Sequence, residues 1–313
     1  MRLPLRAAVA FLAVTTLSAA TASSDAPAAQ EKLAEAMQQV AYINLEKART
    51  LYAEAKASAP RGSADWDKAL FGEATCAWHQ LPIQRANADE AARLFTELLH
   101  VSPRGAFAPR SMMNLGRILE LPEDRDDPVD LPGARAWYQK VVDLWPNDPI
   151  AGEATLRIAG TYIQTFETKA IATGIERLRG WVEARPGDPL ASIMWQYLAE
   201  TYFFPLKDYQ RSLEAYDKVD ALGWTEKGLQ GPTYWRIARL CDRFLNNRQA
   251  AIKYYTKIID ETPNSGKAYE SALALRRLGA PVPDTAMTRL FTDALSGAVD
   301  GAKTPDAHRQ DEP

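Results

Sequence analysis

Six times between Ala48 and Pro263, the same residue types return at the same spacing. Ala48, Tyr52, Ala55 and Pro60 sit at offsets 0, 4, 7 and 12, as do Ala91, Phe95, Leu98, Pro103 and Ala134, Tyr138, Val141, Pro146. Gly174, Leu178, Trp181, Pro186 and Ala251, Tyr255, Ile258, Pro263 repeat the set, and Ser212, Tyr216, Val219 do so with Trp224 in place of proline. Successive starts are 43, 43, 40, 38 and 39 residues apart. Offsets 0, 4 and 7 share one face of an α-helix, and a proline at 12 stops it. Each segment therefore predicts a terminated helix. Its first position is always Ala, Gly or Ser, which lets a neighbouring backbone approach closely.

Such a helix cannot bury its apolar stripe alone. A partner can be read upstream of four of them, at offsets 0, 3, 4 and 7: Met112, Leu115, Gly116, Leu119; Leu156, Ala159, Gly160, Ile163; Trp195, Leu198, Ala199, Tyr202; and Tyr234, Ile237, Ala238, Cys241. The third residue is always small. Phe71, Ala74, Thr75, Trp78 form a weaker version before the second repeat. Asp148 before Pro149 and Asp188 before Pro189 read as N-caps ahead of proline at the first helical position.

These paired sets resemble the tetratricopeptide repeat family, whose first helix carries large-x-x-Leu-Gly-x-x-Tyr and whose second carries Ala-x-x-x-Phe-x-x-Ala-x-x-x-x-Pro. The resemblance covers most of Ala28 to Gly279. It implies an all-α, right-handed α-solenoid of about six helix-turn-helix repeats over residues 23–279. The period exceeds the family's roughly 34 residues, which is closer to the related Sel1-like repeats. Long connections, Leu81 to Glu90 and Leu121 to Pro132, account for the excess. The first repeat lacks a distinct first helix, and Ala28 to Ser58, free of Gly and Pro, reads as one long helix or as two. After Gly279, Asp284 as N-cap and the stripe Met287, Leu290, Phe291, Ala294, Leu295 predict a capping helix in 280–300, which a solenoid end needs. Residues 301–313 are polar and read as a disordered tail.

Arg2 and Arg6, the uncharged run Ala7 to Ala20 and the small residues Ala20 and Ala22 predict a secretory signal peptide over residues 1–22. The run is shorter than the roughly 20 residues of a spanning helix, so cleavage after Ala22 would leave no stable membrane anchor. It would also move the formal charge from −3 to −5. No cysteine near that point offers a lipid attachment site. The expected location is the periplasm or the exterior.

Chemistry is sparse. Phosphate-binding glycine loops, His-Glu-x-x-His and Gly-x-Ser-x-Gly do not occur. The histidines are His79, His100 and His308, and the cysteines are Cys76 and Cys241. Cys76 and His79 are spaced to touch on a helix, but nothing beside them promises a thiolate or an oxyanion site. The two cysteines fall about four repeats apart, so no intramolecular disulfide is expected. Glu123, Asp124, Asp126, Asp127 and Asp130 lack the glycine and final glutamate of a calcium loop. The balance of 37 basic against 40 acidic residues gives no reason to expect nucleic acid. No catalytic residue, metal or cofactor is expected.

In the family the first helix of each pair lines a concave surface. Carried over residue by residue, the resemblance implies that Met113 and Arg117, Arg157 and Thr161, Gln196 and Glu200, and Trp235 and Arg239 point into it, with Phe203 at its flank. The expected function is a non-enzymatic protein-interaction scaffold of the bacterial cell envelope, holding a peptide or protein in that groove. Binding or processing of cell-wall glycan is the alternative, and self-association through Ala28 to Ser58 a further one.

Overall fold

The computed structural model describes residues 26–122, 129–226, 228, 230–285 and 288–289. Among them are thirteen α-helices and no strand. The chain divides into two compact units, one up to Pro128 and one from Val129.

The first unit holds α1 (Ala26–Ala41), α2 (Leu45–Ser58), α3 (Ala64–His79), α4 (Arg85–Val101) and α5 (Ala108–Glu120), each packed on the next. Residues 28–58 form two helices. Ile43 breaks them with φ 60°, and the Asn44 side chain accepts from the Lys47 N–H to start the second. That turn contains neither Gly nor Pro, so composition could not place it. The connection expected over Leu81 to Glu90 is also shorter than its sequence suggested. Helix α4 begins at Arg85, and its first turns carry the Arg85–Asp89 and Arg93–Glu90 ion pairs.

The second unit holds α6 (Leu131–Leu144), α7 (Pro149–Ile163), α8 (Thr168–Ala184), α9 (Ala191–Phe203), α10 (Tyr209–Leu222), α11 (Gln230–Arg243), α12 (Arg248–Glu261) and α13 (Ala268–Arg277), again packed in chain order. Of the acidic connection, residues 123–128 lie outside the described residues, while Asp130 caps α6 by accepting from the Gly133 N–H at 2.8 Å.

The six repeated helices are α2, α4, α6, α8, α10 and α12, and the repeat positions are their cores. Tyr52, Phe95, Tyr138, Leu178, Tyr216 and Tyr255 are at most 6% exposed. Burying each stabilises the fold by about 1.5–3 kcal/mol. The small first positions are where helices meet. Ser212 donates its hydroxyl to the Ala199 carbonyl of α9 at 2.9 Å. At Gly174, a Cβ would lie 2.9 Å from the Ala159 carbonyl oxygen and 2.7 Å from Ile163 Cγ1 of α7. Only glycine fits that crossing. Trp224, standing where the other repeats have proline, stacks on Tyr216 at 6.3 Å and meets Tyr234 edge-on at 5.5 Å.

Asp148 caps α7 as expected, accepting from the Ile150 N–H at 2.9 Å. Asp188 makes the same bond to the Leu190 N–H at 2.8 Å, but the α-helix proper begins only at Ala191. Its second oxygen accepts from Trp181 Nε1 at 2.7 Å, tying α8 to the start of α9.

Helix α13 has no counterpart in the sequence reading and lies inside residues 23–279. It packs on α12, and Ala272 and Leu275 are buried. Thus α13 covers the last repeat helix, and Ala280 and Val282 after it pack on the same core. Most of the expected capping helix, residues 286–287 and 290–300, lies outside the described residues, as do residues 1–25 and the tail 301–313. At its start Thr285, not Asp284, takes the capping role. Thr288 N–H donates to Thr285 Oγ1 at 3.1 Å and Thr285 N–H returns to Thr288 Oγ1 at 2.8 Å, while Asp284 pairs with Arg289.

A candidate partner-binding groove

On α11, the stripe Tyr234, Ile237, Ala238 and Cys241 is buried, at most 1% exposed. Helical spacing puts Trp235, Arg239 and Asp242, at i, i+4 and i+7, on the adjoining face. That face, with Arg243 of the same helix, borders a half-open cavity of about 580 Å³ lined on the other side by Glu270, Leu273, Ala274 and Arg277 of α13 and by Tyr255 of α12. Trp235 and Arg239, which the family resemblance singled out, both border this cavity. The opposite wall was not read, because α13 stands in the first-helix position without the large, apolar, small, large set at offsets 0, 3, 4 and 7.

The polar groups of the cavity are unequally engaged. Asp242 is paired with Arg277 and accepts from Tyr255 Oη at 3.2 Å. Burial first, and then the charge and hydrogen bond of Asp242, push the Tyr255 phenol up to about 12, so it stays a donor. Lys267 pairs with Glu270 at 3.0 Å and lies 5.1 Å from the centre of the Trp235 ring, which itself meets Tyr255 edge-on at 5.6 Å. Arg239 has no hydrogen bond or ion pair with any described residue. A planar fork of donors beside an indole and the apolar Leu273–Ala274 wall suits a carboxylate next to an apolar or aromatic group.

The other expected groove residues are placed differently. Met113, on α5, is 1% exposed. Thr161 is fully buried, donating to the Ile158 carbonyl at 2.7 Å, with Arg135 of α6 reaching over it to its hydroxyl at 3.4 Å. Buried in this way, neither side chain offers surface to a partner. Arg117 is half-buried, its guanidinium 5.3 Å from the Trp78 ring centre in the first unit. Arg157 is half-buried on α7. Gln196 donates to Glu200 at 3.2 Å, and Glu200 lies 4.0 Å from Arg236. Phe203 packs against Phe204 and Tyr209 at the end of α9.

Cys76 and Cys241 are buried free thiols in the first and second units. Burial raises both to about 12, which removes the thiolate that a Cys76–His79 pair would need. The His79 ring stacks on Trp78 at 4.9 Å. Among the described residues, no cluster of three His, Cys, Asp or Glu side chains could hold a metal ion, and no helix is long and apolar enough to cross a membrane.

No family model matches the chain, and no curated protein matches it. Solved structures do. The pilF protein of Pseudomonas aeruginosa superposes with a TM-score of 0.51 at 14% identity, over 79% of this chain and 98% of that one. The C-terminal part of a TPR repeat-containing protein from Cytophaga hutchinsonii gives 0.54 at 16% identity, over 87% of this chain and 96% of that one. At such identities the likeness speaks of the backbone alone. The buried small and aromatic repeat positions agree with it, and the fold is an α-solenoid of the tetratricopeptide repeat kind.

Proposed function

We propose that the chain is a non-enzymatic scaffold that binds an extended segment of a protein partner in the groove between α11 and α13. The observation that carries this reading is Arg239, a guanidinium without a partner among the described residues, set beside Trp235 in a cavity of about 580 Å³. An arginine fork in a half-enclosed site is satisfied best by a carboxylate, and the indole and Leu273 supply apolar contact. The preferred segment therefore carries an acidic side chain or a chain-terminal carboxylate next to an apolar residue. The stacked-helix fold supports a binding role in general, and fold alone does not assign a partner. The signal-like opening of the sequence supports an exported protein acting in the cell envelope.

The test is affinity capture from envelope extract with the wild-type chain beside a Trp235→Ser, Arg239→Ala variant whose helicity is checked by circular dichroism. A protein retained by the wild type and lost by the folded variant, with direct binding then reproduced between purified proteins, supports the groove. Equal capture by both, or wall glycan retained where no protein is, refutes it.

A further inference from the structure

Three turns of the second unit share a costly feature. At the turns α7–α8, α9–α10 and α11–α12, Phe166, Phe204 and Phe244 are 74%, 40% and 56% exposed. Two of these turns are joined by a run of rings: Phe204 meets Phe203 at 4.8 Å, Phe203 meets Tyr209 at 5.7 Å, and Tyr209 meets Phe244 at 4.7 Å. Each turn also contains one left-handed residue, at Phe166 (φ 59°), Lys207 (φ 51°) and Asn246 (φ 49°). Asparagine is at ease there; a bulky phenylalanine is not. Phe166 thus sits in an unfavourable backbone conformation with its ring in water, and the packing of α7 on α8 needs neither. Strain and exposed apolar surface together point to a use outside the fold.

The charge at these turns narrows the partner. Lys169, Lys207, Arg211, Arg243 and Arg248 stand there against Glu167, Asp208 and Asp242, the last already paired with Arg277, in a chain whose net charge is −3. Asp208 is already neutralised by Arg211, while Arg248 is tied to the Leu278 carbonyl. Arg236 lies 5.2 Å from the Phe204 ring centre. Lys169, Lys207 and Arg243 are exposed. Rings at the tips of turns, flanked by unneutralised cations, form insertion points rather than a groove. Such points suit a flat, deformable, negatively charged surface into which aromatics can sink to headgroup depth.

We propose that this turn edge of the second unit is a peripheral docking surface for a bilayer containing anionic phospholipid. The contact is reversible and differs from a spanning anchor. It borders the groove between α11 and α13 at Arg243, which lines both, while Phe166, Phe204, Phe244, Lys169 and Lys207 lie outside that groove.

The test is sedimentation of the chain from Ser23 onward with vesicles of phosphatidylcholine containing an equal part of phosphatidylglycerol, beside vesicles of phosphatidylcholine alone. The expected result is binding to the anionic vesicles that weakens as salt is raised. A Phe166→Asn, Phe244→Ser variant should lower the bound-to-free ratio by at least about tenfold, from withdrawal of two rings. Its urea midpoint should stay close to that of the wild type, because relief of the left-handed turn by asparagine offsets loss of the Phe244–Tyr209 ring contact. The Trp235→Ser, Arg239→Ala variant should bind vesicles as the wild type does, which separates failure of this surface from failure of the groove. Absence of vesicle binding at low salt, equal binding by the ring variant, or equal binding to uncharged vesicles overturns the proposal. So does loss of an acidic protein partner in the ring variant without any vesicle binding by the wild type.

Discussion

Helix α8 contains two glycines that should respond to the same substitution with opposite signs. In a helix interior, replacing Gly by Ala ordinarily stabilises by about 1 kcal/mol. Gly180 is exposed, and a Cβ there would have nothing within 4 Å, so Gly180→Ala should realise that full gain. At Gly174 the Cβ would stand 2.9 Å from a backbone carbonyl oxygen of α7 and 2.7 Å from Ile163 Cγ1. The isoleucine can shift, but the carbonyl belongs to a helix and cannot turn away. Overpacking of this kind costs about 1–3 kcal/mol, which cancels or exceeds the propensity gain. Gly174→Ala should therefore range from neutral to about 2 kcal/mol destabilising, and the two variants should differ by about 1–3 kcal/mol. Urea denaturation followed by far-ultraviolet circular dichroism measures both against the wild type. If Gly174→Ala raises the midpoint as much as Gly180→Ala does, the close crossing of α7 and α8 is wrong, and with it the reason for a small residue at the head of every repeat.

Asp188→Ala removes the acceptor for both Trp181 Nε1 and the Leu190 N–H, and a loss of about 1–2 kcal/mol is expected in the same assay. Asp220 links α10 to α12 through Lys257 at 2.8 Å and Lys253 at 3.4 Å. Burial alone would raise its carboxyl, but the hydrogen bond and charge of Lys257, joined by Lys253, hold it below the usual aspartate range. A carboxyl lowered in the folded state contributes stability that is complete above its unfolded value of about 3.9 and is lost as pH falls through the folded one. Stability should therefore decline below about pH 4, and Asp220→Asn should flatten part of that decline; an unchanged acid slope counts against the pair. Cys76 and Cys241, both buried with thiols raised to about 12, should resist iodoacetamide in the native protein and react fully in denaturant, as mass spectrometry would record. Rapid native labelling of either cysteine would contradict its burial.

Much of the helical plan was legible in the sequence because a helix writes its packing as a local period. Ala134, Tyr138 and Val141 must share a face whatever surrounds them, and Pro146 must end the segment. The same reasoning located Tyr234, Ile237, Ala238 and Cys241 as one buried stripe, whereas Trp235 and Arg239 were implied by the resemblance to the tetratricopeptide repeat family. The turn at Ile43 was not legible, since its left-handed residue is β-branched and its only cue is the capping Asn44. A residue preceding an Asn or Asp cap recurs as the break at Lys207 and Asn246, a signal that could have found it.

What the sequence determined by itself is therefore the period, the helix faces and the residues that no helix could leave in water. Tertiary structure decided which polar residues stay available. Met113 and Thr161 occupy positions equivalent to Trp235 and Arg239, yet both are buried, Thr161 beneath the Arg135 side chain. Arg239 remains open because α13 stands across from it and leaves a cavity between. Exposure depends on how far apart two helices pack, and that distance is set by side chains remote in sequence, which no local spacing records.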